Sequence, residues 1–90
     1  MNDLHTVTEN MKYTMTIKEF VQNFAEQFDE TELAVFTPDT KFRDLEEWSS
    51  FLALAIMAMI KSEYDVAITA DEMRSANTIQ ELFDTVQKHL

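Results

Sequence analysis

The chain predicts an all-α fold, a small four-helix bundle of three main helices and one short helix with a long first connection. Three observations carry this. The segments Thr16-Ile17-Lys18-Glu19 and Thr78-Ile79-Gln80-Glu81 are capping boxes, and each opens a run of apolar residues at helical spacing. Between them, residues 51–60 are apolar without interruption. The one stretch that alternates like a strand, Tyr64 to Thr69, is short and has no second strand to pair with.

Residues 1–13 are mostly polar and show no sustained period, so residues 1–14 are expected to be a flexible extension and 15–90 the folded domain. Met11 and Met15 are both possible natural starts. The first helix is expected from Thr16 to about residues 29–31, with Ile17, Phe20, Val21, Phe24 and Phe28 as its core stripe. Residues 32–48 follow as a long loop, with Leu33, Val35, Phe36, Phe42 and Leu45 expected to anchor it to the core. Pro38, the only proline, marks a turn in Thr-Pro-Asp.

The second helix is expected from Ser50 to Glu63, capped by Ser49 or Ser50. Ala53, Ile56, Met57 and Ile60 are read as its core stripe, and Phe51, Leu52, Leu54, Ala55, Ala58 and Met59 fill the rest of the circumference. A domain this small cannot bury a helix on every side, so an outer face that meets a partner is expected. Val66 and Ile68 should plug the core from an extended loop. Asp71 to Ser75 should form the short helix with Met73 inward, and Ile79, Leu82, Phe83 and Val86 the stripe of the last one.

Composition narrows the function. Ninety residues make one domain, without room for a deep interdomain cleft. A formal net charge of -10 disfavours nucleic acid and anionic membranes as partners; it suits proteins with basic patches, or serves solubility alone. There is no cysteine, hence no disulfide framework or thiolate site, and no glycine, hence no Gly-rich phosphate loop or ordinary calcium loop. No basic segment followed by an apolar run is visible at the N-terminus, and a cytoplasmic protein is expected.

No catalytic constellation stands out. His5 and His89 lie near opposite ends without triad partners, and the neighbouring carboxylates Glu46-Glu47 and Asp71-Glu72 read as solvated faces. No His/Cys/Asp/Glu cluster has metal-ligand spacing. A small enzyme is therefore not expected.

The informative stretch is Asp44-Leu45-Glu46-Glu47-Trp48-Ser49-Ser50-Phe51-Leu52. A lone serine at a helix start is normally a cap. Here it follows a long acidic loop and opens a helix with an apolar outer face.

In that order of elements residues 15 to 89 resemble the acyl carrier protein family. Ser49-Ser50-Phe51 stands where the family has Asp-Ser-Leu. The pattern continues through the apolar helix, Glu63-Tyr64-Asp65, Ile68, the acidic short helix around Asp71-Glu72, and Thr78-Ile79. The resemblance implies a carrier that is not itself an enzyme, with 4'-phosphopantetheine joined to Ser50 through a phosphodiester and acyl groups held on it as thioesters. Its implied partners are a phosphopantetheinyl transferase and acyl-transferring and condensing enzymes of fatty-acid, polyketide-like or related biosynthesis, met by a monomer. The arm brings its own thiol, which agrees with the absence of cysteine. A cargo folding back between the helices would find adaptable side chains in Met57, Met59 and Met73, although core packing is the plainer reading of these residues.

The sequence departs from the family in three ways. Ser49 replaces the usual Asp, and the usual Leu-Gly turn is missing, with Leu45 five residues before Ser50 and Trp48 between. Leu52 and Ala55 stand where acidic residues are frequent. These changes imply an apolar docking surface of Phe51, Leu54 and Ala58, flanked by Leu52 and Ala55, and dedicated partner enzymes. The competing reading is an unmodified interaction module of the same fold, which would use the apolar face of helix 50–63 to bind a partner.

Overall fold

Helix α1 (Ile17–Ala25) begins where its cap dictates: Thr16 is extended, and its hydroxyl accepts the Glu19 amide at 3.2 Å. The Glu19 carboxylate takes the Thr16 hydroxyl at 3.1 Å, where the capping box would have it take the Thr16 amide. The computed structural model describes residues 16–90; the extension expected over residues 1–14, His5 and the starts Met11 and Met15 lie outside them. α1 stops about a turn earlier than its stripe suggests. Gln27 N donates to Phe24 O and Phe28 N to Ala25 O, tightening the chain into turns that still deliver Phe28 to the core.

The long connection is stitched down rather than loose. It holds two 3-10 turns, Leu33–Val35 and Phe42–Asp44. Pro38 and Asp39 form the expected turn, closed by Thr40 N to Thr37 O at 3.0 Å. Phe36 and Phe42 are buried and Leu45 packs against the core, but Leu33 and Val35, expected to anchor the loop, are exposed. Two phenyl rings supply the burial that holds this segment, and the first 3-10 turn points its small apolar residues outward.

Helix α2 (Ser50–Tyr64) is the longest among the described residues. It ends at Asp65, whose φ of 57° lies in the left-handed region. In a chain without glycine this position falls to aspartate, which tolerates the conformation better than most residues, and Lys61 Nζ pairs with its carboxylate at 3.0 Å. Residues 66–69 form no strand; Val66 and Ile68 are buried in the core as expected. Helix α3 (Ala70–Ser75) carries a capping box that the sequence reading missed, with Thr69 and Glu72 satisfying each other's amides, and it buries Met73.

Helix α4 (Ile79–Gln87) is capped by the Thr78 hydroxyl, and Ile79, Leu82, Phe83 and Val86 are all buried. Glu81 reaches the amide of Asn77, one residue before the position its capping box implied. The amides of Ile79 and Gln80 donate to Thr40 O and Pro38 O, so the long loop satisfies the first turn of α4.

α1 packs against α2 and α4, and α3 against α4. Their shared core is centred on Phe20, Phe24, Phe42, Ile56, Ile60, Ile79, Leu82 and Val86. Among the described residues there are four α-helices and no strand, and no helix is long and apolar enough to cross a membrane.

The inward face of α2 differs from the expected one. Leu52, Ile56, Met59 and Ile60 are buried, whereas Ala53 and Met57 are half-buried. Rotating the helix this way puts two long side chains, Leu52 and Met59, into the core in place of a methyl and a more peripheral Met. Leu52 is only 5% exposed, so it does not belong to the docking surface assigned to it from sequence.

Candidate functional site

The site is built around the start of α2, and the chain upstream of it is pinned three times. Arg43 lies over the ring of Phe42, with 5.3 Å from its guanidinium carbon to the ring centroid. Its Nη1 donates to Met73 O at 3.1 Å and its Nη2 to Asn77 Oδ1 at 2.8 Å, which ties the loop to the last turn of α3 and to the segment that follows it. Trp48 sits against Phe42 and Phe28, with ring centroids 5.0 and 6.3 Å apart.

Glu47 forms the third tie. Its carboxylate accepts the Asp29, Glu30 and Thr31 amides at 2.8, 3.1 and 3.0 Å and the Thr31 hydroxyl at 2.7 Å. It fastens the end of the long connection to the segment that leaves α1. These bonds favour the ionised form, and the Thr31 hydroxyl, followed by the Asp29 amide, holds the Glu47 carboxyl below its ordinary value.

Glu47 read from sequence as part of a solvated acidic pair, and its role as a buckle was missed. Its partners lie 16 to 18 residues upstream, and no local pattern marks such a pair. Arg43 was missed for the same reason. Trp48, noted only as a departure, had a usable signal, since a lone tryptophan beside a buried phenylalanine cluster has apolar area to hide. The missing Leu-Gly turn has a structural answer as well. Residues 45–48 close with Trp48 N donating to Leu45 O at 3.0 Å, and none of them has positive φ. That turn needs no glycine.

With the approach fixed, the two adjacent serines divide their roles. Ser49 is extended, and its Oγ accepts the Leu52 amide at 3.3 Å, so it is the cap. Ser50 is the first helical residue and is exposed, and its hydroxyl has no hydrogen-bond partner among the described residues.

Two surfaces adjoin Ser50. One is the outward stripe of α2, where Phe51 and Leu54 are 76% and 65% exposed, Ala58 is exposed and Ala55 half-buried. These four stand at successive positions of one helical face, and no charged residue interrupts α2 between Ser50 and Ile60. The other is a groove of about 610 Å³ between α2 and α3. Ser50 and Trp48 stand at it, with Ala53, Leu54, Met57 and Met73 among its apolar lining and Arg43 and Arg74 among its polar lining. Of the methionines singled out from sequence, Met57 and Met73 line this groove, whereas Met59 belongs to the core.

His89, read as a plain surface residue, contacts Glu72 through Nε2 and Oε2 at 2.8 Å and links the end of α4 to α3. The Thr69 amide and then His89 keep the Glu72 carboxyl below its ordinary range. Neither residue lines the groove beside Ser50. Among the described residues no group of three His, Asp or Glu side chains is placed to hold a metal ion.

Comparison with curated proteins and with solved structures finds no match. A family model described as the phosphopantetheine attachment site matches residues 18–86, from the first turn of α1 to the last turn of α4. Domains of this family are carriers rather than catalysts. They bear a covalent 4'-phosphopantetheine and work with phosphopantetheinyl transferases and biosynthetic enzymes. With more than two thirds of its length matched and a four-helix fold to suit, the chain belongs to the phosphopantetheine-attachment family of acyl-carrier-like proteins.

Proposed function

We propose that Ser50 bears the phosphopantetheine arm, and that the protein is a monomeric cytoplasmic carrier presenting acyl groups to fatty-acid, polyketide-like or related biosynthetic enzymes. The observation that carries this reading is the division of labour between the serines. Ser49 occupies the cap, which leaves the Ser50 hydroxyl exposed and free of partners among the described residues.

The surroundings suit a phosphodiester at that position. Ser50 lies in the first turn of α2, where backbone amides and the helix dipole favour negative charge. That turn has no carboxylate of its own, whereas the first turns of the other three helices do. The arm supplies the thiol on which an acyl group is held as a thioester.

What the chain contributes is a nucleophile and a fixed address. In loading, Ser50 Oγ attacks the pantetheine-bearing phosphorus of coenzyme A. The Oγ–P bond forms as the bridging P–O bond breaks. Adenosine bisphosphate leaves with that electron pair, and the hydroxyl proton passes to a base on the transferase.

Partners would then meet the outward stripe of Phe51, Leu54, Ala55 and Ala58. Such a surface selects partners by apolar complementarity more than by ion pairing. Each encounter should be weak and brief, since the cargo has to be handed on.

Incubation with coenzyme A and a broad-specificity phosphopantetheinyl transferase tests the reading. The wild type is expected to gain the mass of one phosphopantetheine and Ser50→Ala to gain none. Equal gain by both proteins would refute the assignment of Ser50. No gain with several transferases would favour an unmodified module that uses the same apolar face to bind a partner.

A further inference from the structure

The chain has only two arginines, Arg43 and Arg74, and both line the groove that opens beside Ser50. They come from different elements, the long loop and α3, so neighbourhood in sequence does not explain the coincidence. Among the described residues no acidic one lines the groove, in a chain whose net charge is -10. Apolar side chains, Ala53, Met57 and Met73 among them, share the lining with the two arginines.

We propose that Arg43 and Arg74 hold the phosphodiester on Ser50 and thereby seat the first part of the arm in the groove between α2 and α3. This rests on the carrier reading of Ser50 and goes beyond it by assigning two residues that set where the arm lies. A guanidinium suits the task, because its planar set of N–H donors matches phosphate oxygens and stays charged at every working pH. Arg43 is preorganised by Met73 O, Asn77 Oδ1 and the Phe42 ring, and its remaining N–H donors have no partner among the described residues. Arg74 pairs with Asp71 on the exposed side of α3, so a phosphate has to compete with that carboxylate for it. Arg43 is accordingly the fixed half of the clamp and Arg74 the adjustable half.

The test uses the full chain after loading, with mass confirming the arm in every variant. In the wild type the phosphodiester phosphorus resonance should differ from that of free phosphopantetheine, and the Nε–H signals of both arginines should move on loading. In Arg43→Gln/Arg74→Gln the phosphorus resonance should fall back toward the free value. The thiol should also react faster with a disulfide reagent, by roughly five-fold if the contacts have the upper strength of exposed charge pairs. Arg74→Gln alone, which spares the ties from Arg43 to Met73 and Asn77, should give part of both effects. Arg43→Lys/Arg74→Lys should restore some of the shift. Lys61→Gln, which removes a charge at the far end of α2, should change nothing.

A loaded double variant that keeps its fold, with phosphorus shift and thiol reactivity equal to those of the wild type, overturns the clamp and leaves the carrier reading intact. A wild type that accepts no arm overturns both.

Discussion

The two faces of α2 are built from the same kind of residue and meet opposite fates. Leu52, Ile56, Met59 and Ile60 close the core, while Phe51, Leu54, Ala55 and Ala58 face outward, all within one uninterrupted apolar run. Hydropathy cannot tell the faces apart, because both are apolar. The rotation of the helix decides, and the rotation follows from which face can bury the longer side chains against α1. An apolar outward face costs solubility unless something covers it, which is why its position directly after Ser50 matters.

Exchanging residues between the faces should separate stability from function. Leu52→Ala is expected to cost about 2–5 kcal/mol in denaturant unfolding, as a buried leucine leaves a cavity. Phe51→Ala, one residue earlier, should stay within about 0.5 kcal/mol of wild type because its ring is in solvent. Similar losses in both would mean that the outward face is covered in the free protein. Leu54→Glu should leave the unfolding midpoint nearly unchanged and slow acyl transfer to the cognate partner roughly ten-fold, the effect of losing one central apolar contact. Unchanged transfer would count against docking through this stripe.

The serines extend the comparison to the helix start. Ser49→Ala should cost about 1 kcal/mol through the lost cap, whereas Ser50→Ala should cost almost nothing. The reverse order in thermal melts would show that the cap had been assigned to the wrong residue.

The smallest effect is that of pH on the Glu47 buckle. Its carboxyl titrates below the ordinary 4.5, so the folded chain binds this proton less readily than the unfolded chain does. The stabilisation is therefore in full force above the unfolded value and is lost as pH falls through the lower folded one. Glu47→Gln should flatten that limb of the stability–pH curve, leaving the share that comes from Glu72, which is lowered in the same direction. A limb identical in the variant and the wild type would remove Glu47 from the account.

What could be read from sequence follows from the range of the interactions involved. The caps at Thr16 and Thr78 and the stripe of α4 rest on residues three or four apart, and they appear in the structure nearly as read. The turn at Pro38 and the inward Val66, Ile68 and Met73 also depend on local pattern. Ser50 was singled out by its setting at the head of an apolar helix together with the resemblance to acyl carrier proteins, and its role as attachment residue stands as the proposal above. The choice between Ser49 and Ser50 as cap stayed open until the backbone showed which one is extended. Glu47 and Arg43 bond across 16 to 34 residues, and the phase of α2 depends on the whole core, so none of these had a local trace.

Locating the arm in the loaded wild-type protein, by fragment-ion mass spectrometry across Trp48-Ser49-Ser50-Phe51, tests the central claim most directly. Phosphopantetheine on Ser50 alone is the result the structure leads us to expect. Its presence on Ser49, the residue engaged in capping α2, would contradict the division of labour on which the functional reading stands.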